Sequence, residues 1–154
     1  VNSLQKRALQ NSGHCFACGP HNIYGLRMRV RYEDGAAVCR LTLGHQYQGW
    51  EDIAHGGIVS TVLDEITAYA VIGLVGQGVT TRMETTFRQA VPLGREIVAR
   101  AHIVEQKKRL AVASGELRLA GDQTLLAEAT SRWLLKLGPD GQPLDGSDWL
   151  PGIL

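Results

Sequence analysis

The chain has 154 residues, of which 44% are hydrophobic and 20% charged, and a formal net charge of +1. This length and balance favour one domain with a substantial core and exclude a disordered or low-complexity chain. They also give no bulk electrostatic case for nucleic acid or an anionic membrane, so any anion site must be local. Three cysteines, an odd count, with no signal-like apolar stretch ahead of them, lead to the expectation of a reduced, cytoplasmic protein.

Residues 1–12 are expected to form a short helix. HCFACGPHNIYG (14–25) is rich in turn formers. LRMRVRY (26–32) alternates apolar and basic residues, the period of a strand with one wet face. Glu33-Asp34-Gly35 reads as a hairpin turn, and AAVCRLTL (36–43) as the returning strand. The loop GHQYQGWEDIAHGG leads into a helix from about Gly56 to Leu74, ended by Gly73, Gly76 and Gly78. Four further strands are expected at 79–91, 95–104, 109–120 and 123–137, followed by a turn-rich tail, 138–154, lying on the surface. The chain is therefore one domain, 1–154, with residues 1–25 as an N-terminal segment. Strands around one segregated helix indicate an α+β fold with an antiparallel sheet.

Residues 56–76 are long enough to suggest a membrane span. Asp64 and Glu65 stand near the centre, where each would be penalised by roughly 2.5–3.5 kcal/mol, so a buried core helix is the better reading. These two are the only charged residues between Gly56 and Thr81. The helix is apolar on most of its circumference, and a second copy of the chain could cover what the sheet does not. One narrow stripe is small and polar: Gly57, Ser60, Thr61, Asp64 and Ala68. Asp64 and Glu65 point about 100° apart, so Asp64 belongs to the stripe, while Glu65 is expected to reach solvent or pair with an arginine. A carboxylate in apolar surroundings has its ionised form disfavoured, which suits base or nucleophile work. At the helix start, His55-Gly56-Gly57 brings unpaired backbone N–H groups within reach of a ligand, an arrangement suited to a developing oxyanion. The plainer reading of the two glycines is close loop-to-helix packing.

The cluster His14, Cys15, Cys18 and His21 could bind zinc through its Cys-x-x-Cys. Closing a tetrahedron within so short a segment would be strained, and no metal is assigned. Cys39 reads as a strand core residue. Tyr69, Val62, Ile66 and Met83 could line an acyl pocket, but core packing explains them as well.

QGWEDIAHGGIVSTVLDEITAYA resembles the signature of hotdog-fold acyl-CoA thioesterases of the phenylacetate-type group. TTFRQAVPLGREIVARAHIVEQKKRLAVASGELR resembles that family's closing strands, and CFACGPHNIYGLRMR the N-terminal motif of one of its branches. The resemblance implies a sheet wrapped around one long helix, in homodimers or homotetramers with a site at the dimer interface. It implies hydrolysis of acyl-CoA to a carboxylic acid and coenzyme A with no separate cofactor. Asp64 would be nucleophile or general base, Gly56 the amide donor from the other subunit, and His55 the residue shaping the loop. Gln48 would hold water or the carboxylate, and Thr80 or Thr81 would assist the water. Coenzyme A carries phosphates, for which Arg88, Arg95, Lys107, Lys108 and Arg109 are candidates. Gly49-Trp50-Glu51-Asp52 departs from the Gly-Trp-Pro-Gly of many relatives and adds two acids to the entrance loop. The alternatives are an acyl-CoA or acyl-carrier binder without hydrolysis, a dehydratase using His55, or a zinc-bound interaction module.

Overall fold

The computed structural model describes residues 13–146. The expected helix at 1–12 and the end of the tail lie outside them. In chain order the elements are β1 (Val30–Glu33), β2 (Ala36–Thr42), a 3₁₀ turn (His45–Tyr47), α1 (Gly56–Leu74), β3 (Gly78–Phe87), β4 (Glu96–Lys107), β5 (Leu110–Leu119) and β6 (Leu125–Leu135). The six strands make one antiparallel sheet in the order β1-β2-β4-β5-β6-β3, so β3 returns to the far edge.

The sheet lies close to α1 because its central strands turn small residues inward: Ala99 and Ala101 on β4, Ala111, Ala113 and Gly115 on β5, Ala127 and Ala129 on β6. The helix supplies the bulk, with Val59, Val62, Leu63, Ile66 and Tyr69 all buried. Large side chains on one layer facing small ones on the other let both reach native packing density. Gly115 marks a close approach at the middle of the sheet, where an added Cβ would stand 2.9 Å from the Thr67 methyl. Gly115→Val is therefore expected to destabilise the fold by about 1–3 kcal/mol, since a buried overpacked site must shift its neighbours. Urea denaturation measures this, and an unchanged midpoint would contradict the packing described. Val62, Ile66 and Tyr69 are core residues, and Met83 packs against the same core.

The expected helix boundaries, 56 and 74, are the observed ones. Among the described residues α1 alone is long and apolar enough to cross a membrane, and it is laid against the sheet. Some strand ends differ. The backbone from 26 to 29 pairs with the N-terminal loop instead of the sheet, as Leu26 donates to the Phe16 carbonyl (2.8 Å) and Met28 to Ala17 (2.9 Å). β3 stops at Phe87 because Arg88 and Gln89 both turn their N–H groups onto the Leu126 carbonyl. The segment beyond it then braces the loop ahead of the helix, with Ala54 donating to Val91 (2.9 Å) and Ile53 bridging Pro92. β4 runs on to Lys107, through a bulge between Ile103 and Glu105, so the β4–β5 turn is shorter than expected. The tail as far as 146 packs tightly: Gln77 donates to the Leu144 carbonyl, and Gly146 lies against Ile72.

Candidate active site

The loop before α1 is held by its own polar groups. Asp52 N–H donates to Gln48 Oε1 (3.0 Å), Ile53 N–H to the Trp50 carbonyl (2.9 Å), and His55 N–H to the Tyr47 carbonyl (2.9 Å). The acids of Gly49-Trp50-Glu51-Asp52 thus occupy a closed turn, with Asp52 at φ 58. His55 is the helix N-cap, and its Nδ1 accepts from Gly57 N–H at 2.9 Å. Ile58 and Val59 both donate to the His55 carbonyl. One first-turn donor is left: among the described residues Gly56 N–H has no partner. It opens on a cleft of about 360 Å³ lined by Gly49, Trp50, Ala54, His55 and Gly56, with Trp50 82% exposed beside it. Capping by His55 therefore selects Gly56, not Gly57, as the amide available to a ligand.

Two turns further along, Asp64 accepts a hydrogen bond on Oδ1 from the Thr80 hydroxyl at 3.0 Å. The Thr81 hydroxyl instead donates to the Arg132 carbonyl (3.0 Å), away from Asp64. A bulge between Thr80 and Arg82 in the β3–β6 pairing falls at this point. Asp64 is half-buried, as are Ser60 and Thr61, while the opposite helix face is fully buried; the polar stripe is the face the sheet leaves uncovered. Eight residues of helix separate Gly56 from Asp64, about 12 Å of rise, too far for both to touch one carbonyl group. One protomer therefore holds both halves of such a site but does not bring them together.

Glu65 is half-buried, as Asp64 is, and pairs with no arginine among the described residues. It turns into the N-terminal loop, where Cys15 Sγ lies 3.9 Å from Oε1. Burial pushes the Glu65 carboxyl above its ordinary range. The neighbouring Cys18 thiol is raised by its hydrogen bond with Cys15 and by burial, and the same bond lowers Cys15. His14 and His21, grouped with these cysteines in the sequence, are both exposed and meet each other with tilted rings, centroids 5.7 Å apart. Sequence reasoning missed this alliance of Glu65 with Cys15 and Cys18. The available signal was an acid pointing away from the polar stripe together with a Cys-x-x-Cys that had no other use.

The five candidate cations form two groups. Arg88 follows the end of β3 and is ion-paired with Glu128, and Arg95 precedes β4 at the same end of the sheet. Lys107 ends β4, where it is paired to Glu105, and Lys108 and Arg109 form the β4–β5 turn. Leu110 stands level with Leu134 and Val79, whereas Phe87 stands level with Ala127 and Leu117, so the two groups sit at opposite ends of the sheet.

A helix N-terminal amide and a hydroxyl-supported carboxylate thus stand on one helix with the sheet packed against its other face, an arrangement that can polarise a carbonyl and activate water only if the two are brought together. The Thioesterase superfamily sequence profile matches residues 51–126. The chain is 31% identical over 93 residues to mouse acyl-coenzyme A thioesterase 13, covering 59% of this chain and 66% of that one. Thus it spans about two thirds of that relative's length. The structure of thioesterase superfamily member 2 from Mus musculus superposes with a TM-score of 0.66 at 27% identity, covering 72% of this chain and 84% of that one. The PaaI protein from the E. coli phenylacetic acid degradation operon shares the fold, with a TM-score of 0.67 at 21% identity over 77% of this chain and 83% of that one. The chain has the hotdog fold and is similar, over about half of its length, to the thioesterase superfamily, with acyl-CoA thioesterases among its relatives.

Proposed function

We propose that the chain hydrolyses acyl-CoA at sites shared between two copies, each built from Asp64 and Thr80 of one protomer and the Gly56 N–H of its partner. The observation that carries this reading is the pairing of an unengaged amide with a hydroxyl-supported carboxylate on one exposed helix stripe, too far apart to act within one chain. The thioester oxygen accepts from Gly56 N–H, and the helix N-terminus favours the negative charge that develops there. Asp64 takes a proton from water as the water oxygen bonds to the carbonyl carbon, or attacks that carbon itself and is released by water. The C–S bond breaks and coenzyme A leaves as its thiol. Thr80 fixes the carboxylate, and His55 keeps Gly56 in place by capping Gly57.

Gln48 uses Oε1 to hold the loop, which leaves its amide N–H groups for a water. The pairing of two copies also fits β3, an edge strand of ten residues with one side unpaired in the sheet. Two copies would bring cations from different sheet ends within reach of one nucleotide, so Arg88 and Arg95 of one and Lys107, Lys108 and Arg109 of the other are assigned to the coenzyme A phosphates. Free thiols at Cys15, Cys18 and Cys39 fit a reducing, cytoplasmic setting.

Against a dehydratase, His55 engages Nδ1 with Gly57 N–H, which leaves an N–H at Nε2 and no free base. The test is release of free thiol from a panel of aliphatic and aromatic acyl-CoAs, with products identified by mass. Hydrolysis of at least one of them to acid and coenzyme A is expected. Turnover of none, or hydration of an enoyl-CoA in its place, would refute the assignment.

A further inference from the structure

We propose that Cys15, Cys18 and Glu65 form a zinc site that clamps the N-terminal loop to the middle of α1. Their ligand atoms, two sulfurs and a carboxylate oxygen, all lie within 4.8 Å of one another. In a tetrahedral zinc site with Zn–S near 2.3 Å and Zn–O near 2.0–2.2 Å, such atoms stand roughly 3.5–3.8 Å apart, so the cluster is within about 1 Å of closure. Two thiolates and a carboxylate select a borderline-soft divalent ion over magnesium or calcium.

Three features make this a built site and not a chance encounter. The two cysteines sit in one tight turn, closed by Gly19 N–H on the Cys15 carbonyl at 2.8 Å. That turn admits only glycine at 19, where a Cβ would stand 2.5 Å from the Cys15 backbone. Glu65 comes from 47 residues beyond Cys18, is half-buried, and has no ion-pair partner among the described residues, so its charge is partly desolvated without a counter-charge. A bound dication supplies that charge. Arg29, donating from Nη1 to the Cys18 carbonyl at 3.1 Å, offsets the excess negative charge of two thiolates and a carboxylate around it. When zinc binds, the thiols lose their protons to solvent as the S–Zn bonds form. Cys15 is half-buried, so a water can take the fourth position. The clamp fixes the helix one residue from Asp64 and acts on that residue by position alone.

The experiment uses the full chain, purified under reducing conditions without chelator. Elemental analysis is expected to find about one zinc per chain. After stripping, cobalt(II) titration is expected to give a thiolate-to-cobalt charge-transfer band saturating at one equivalent, and zinc to displace it. The band is lost in Cys15→Ser and Cys18→Ser. Glu65→Gln weakens zinc by more than the roughly 10–100-fold typical of an outer-sphere partner. His14→Ala with His21→Ala leaves both readouts unchanged. Wild-type chain that gives no band in excess cobalt overturns the proposal, with no variant needed. So does a band that survives loss of both cysteines or vanishes with the two histidines, and so does a resting Cys15–Cys18 disulfide. None of these readouts depends on thioesterase activity.

Discussion

Asp64→Asn is expected to lower kcat by about 10²–10⁴-fold, with KM little changed and the melting temperature near wild type. The substitution is isosteric. Its side-chain oxygen can still accept from the Thr80 hydroxyl, which reaches Oδ1 at 3.0 Å in the native chain, so packing and the helix–β3 contact survive. An amide, however, can neither take a proton from water nor attack a carbonyl carbon, so the loss falls on the chemical step. Thr80→Val should give a smaller defect in the same direction. A hydrogen bond to a charged group is worth about 1.5–3 kcal/mol, roughly one to two powers of ten in rate. Thr81→Val should have no such effect, because that hydroxyl is already bonded to the Arg132 carbonyl. Steady-state thiol release on the best acyl-CoA, with circular dichroism to check folding, measures all three. Asp64→Asn at the wild-type rate, or Thr81→Val more damaging than Thr80→Val, would dismantle the assignment.

The helix and its acid were legible in the sequence because both are local signals. A long apolar run starting at a histidine with two glycines and ending in a glycine cluster sets its own boundaries. A lone acid pair in that run stands out by solvation cost. The parity of β3 was not legible: the bulge between Thr80 and Arg82 breaks strict alternation, so two adjacent threonines could not be told apart by counting. Glu65 was misplaced because its partners come from a loop nearly fifty residues earlier, and no period along the helix encodes a contact that distant. The basic residues read as one patch in sequence, yet Arg88 and Lys107 stand where β3 and β4 end, at opposite ends of the sheet. The short first strand has the same origin, as Leu26 and Met28 have strand-like alternation but bond to the Cys15–Cys18 loop, which a sequence pattern cannot foresee.

Gly56→Pro is expected to remove activity while leaving α1 in place. Gly56 is the first helical residue, the one position where proline's fixed φ and missing N–H suit a helix. His55 ahead of it already has φ −60 and ψ 136, the extended conformation that proline demands of its predecessor. Side-chain atoms have room, since a Cβ at 56 would meet only the Phe87 ring at 3.7 Å. What disappears is the N–H left free by the histidine cap, and removing one oxyanion donor costs about 10²–10³ in kcat. Combined with Asp64→Asn, the substitution tests where the site lies. If each site takes Asp64 from one chain and Gly56 from the other, a mixed dimer of the two variants has one doubly damaged site and one intact site. With random pairing about half the dimers are mixed, so co-expression should restore about a quarter of wild-type activity. Thr80→Val co-expressed with Asp64→Asn should restore nothing beyond the residual rate of the parents, because those two residues meet within one protomer. Recovery in neither mixture would place the whole reaction inside a single chain, and Gly56 would lose its role.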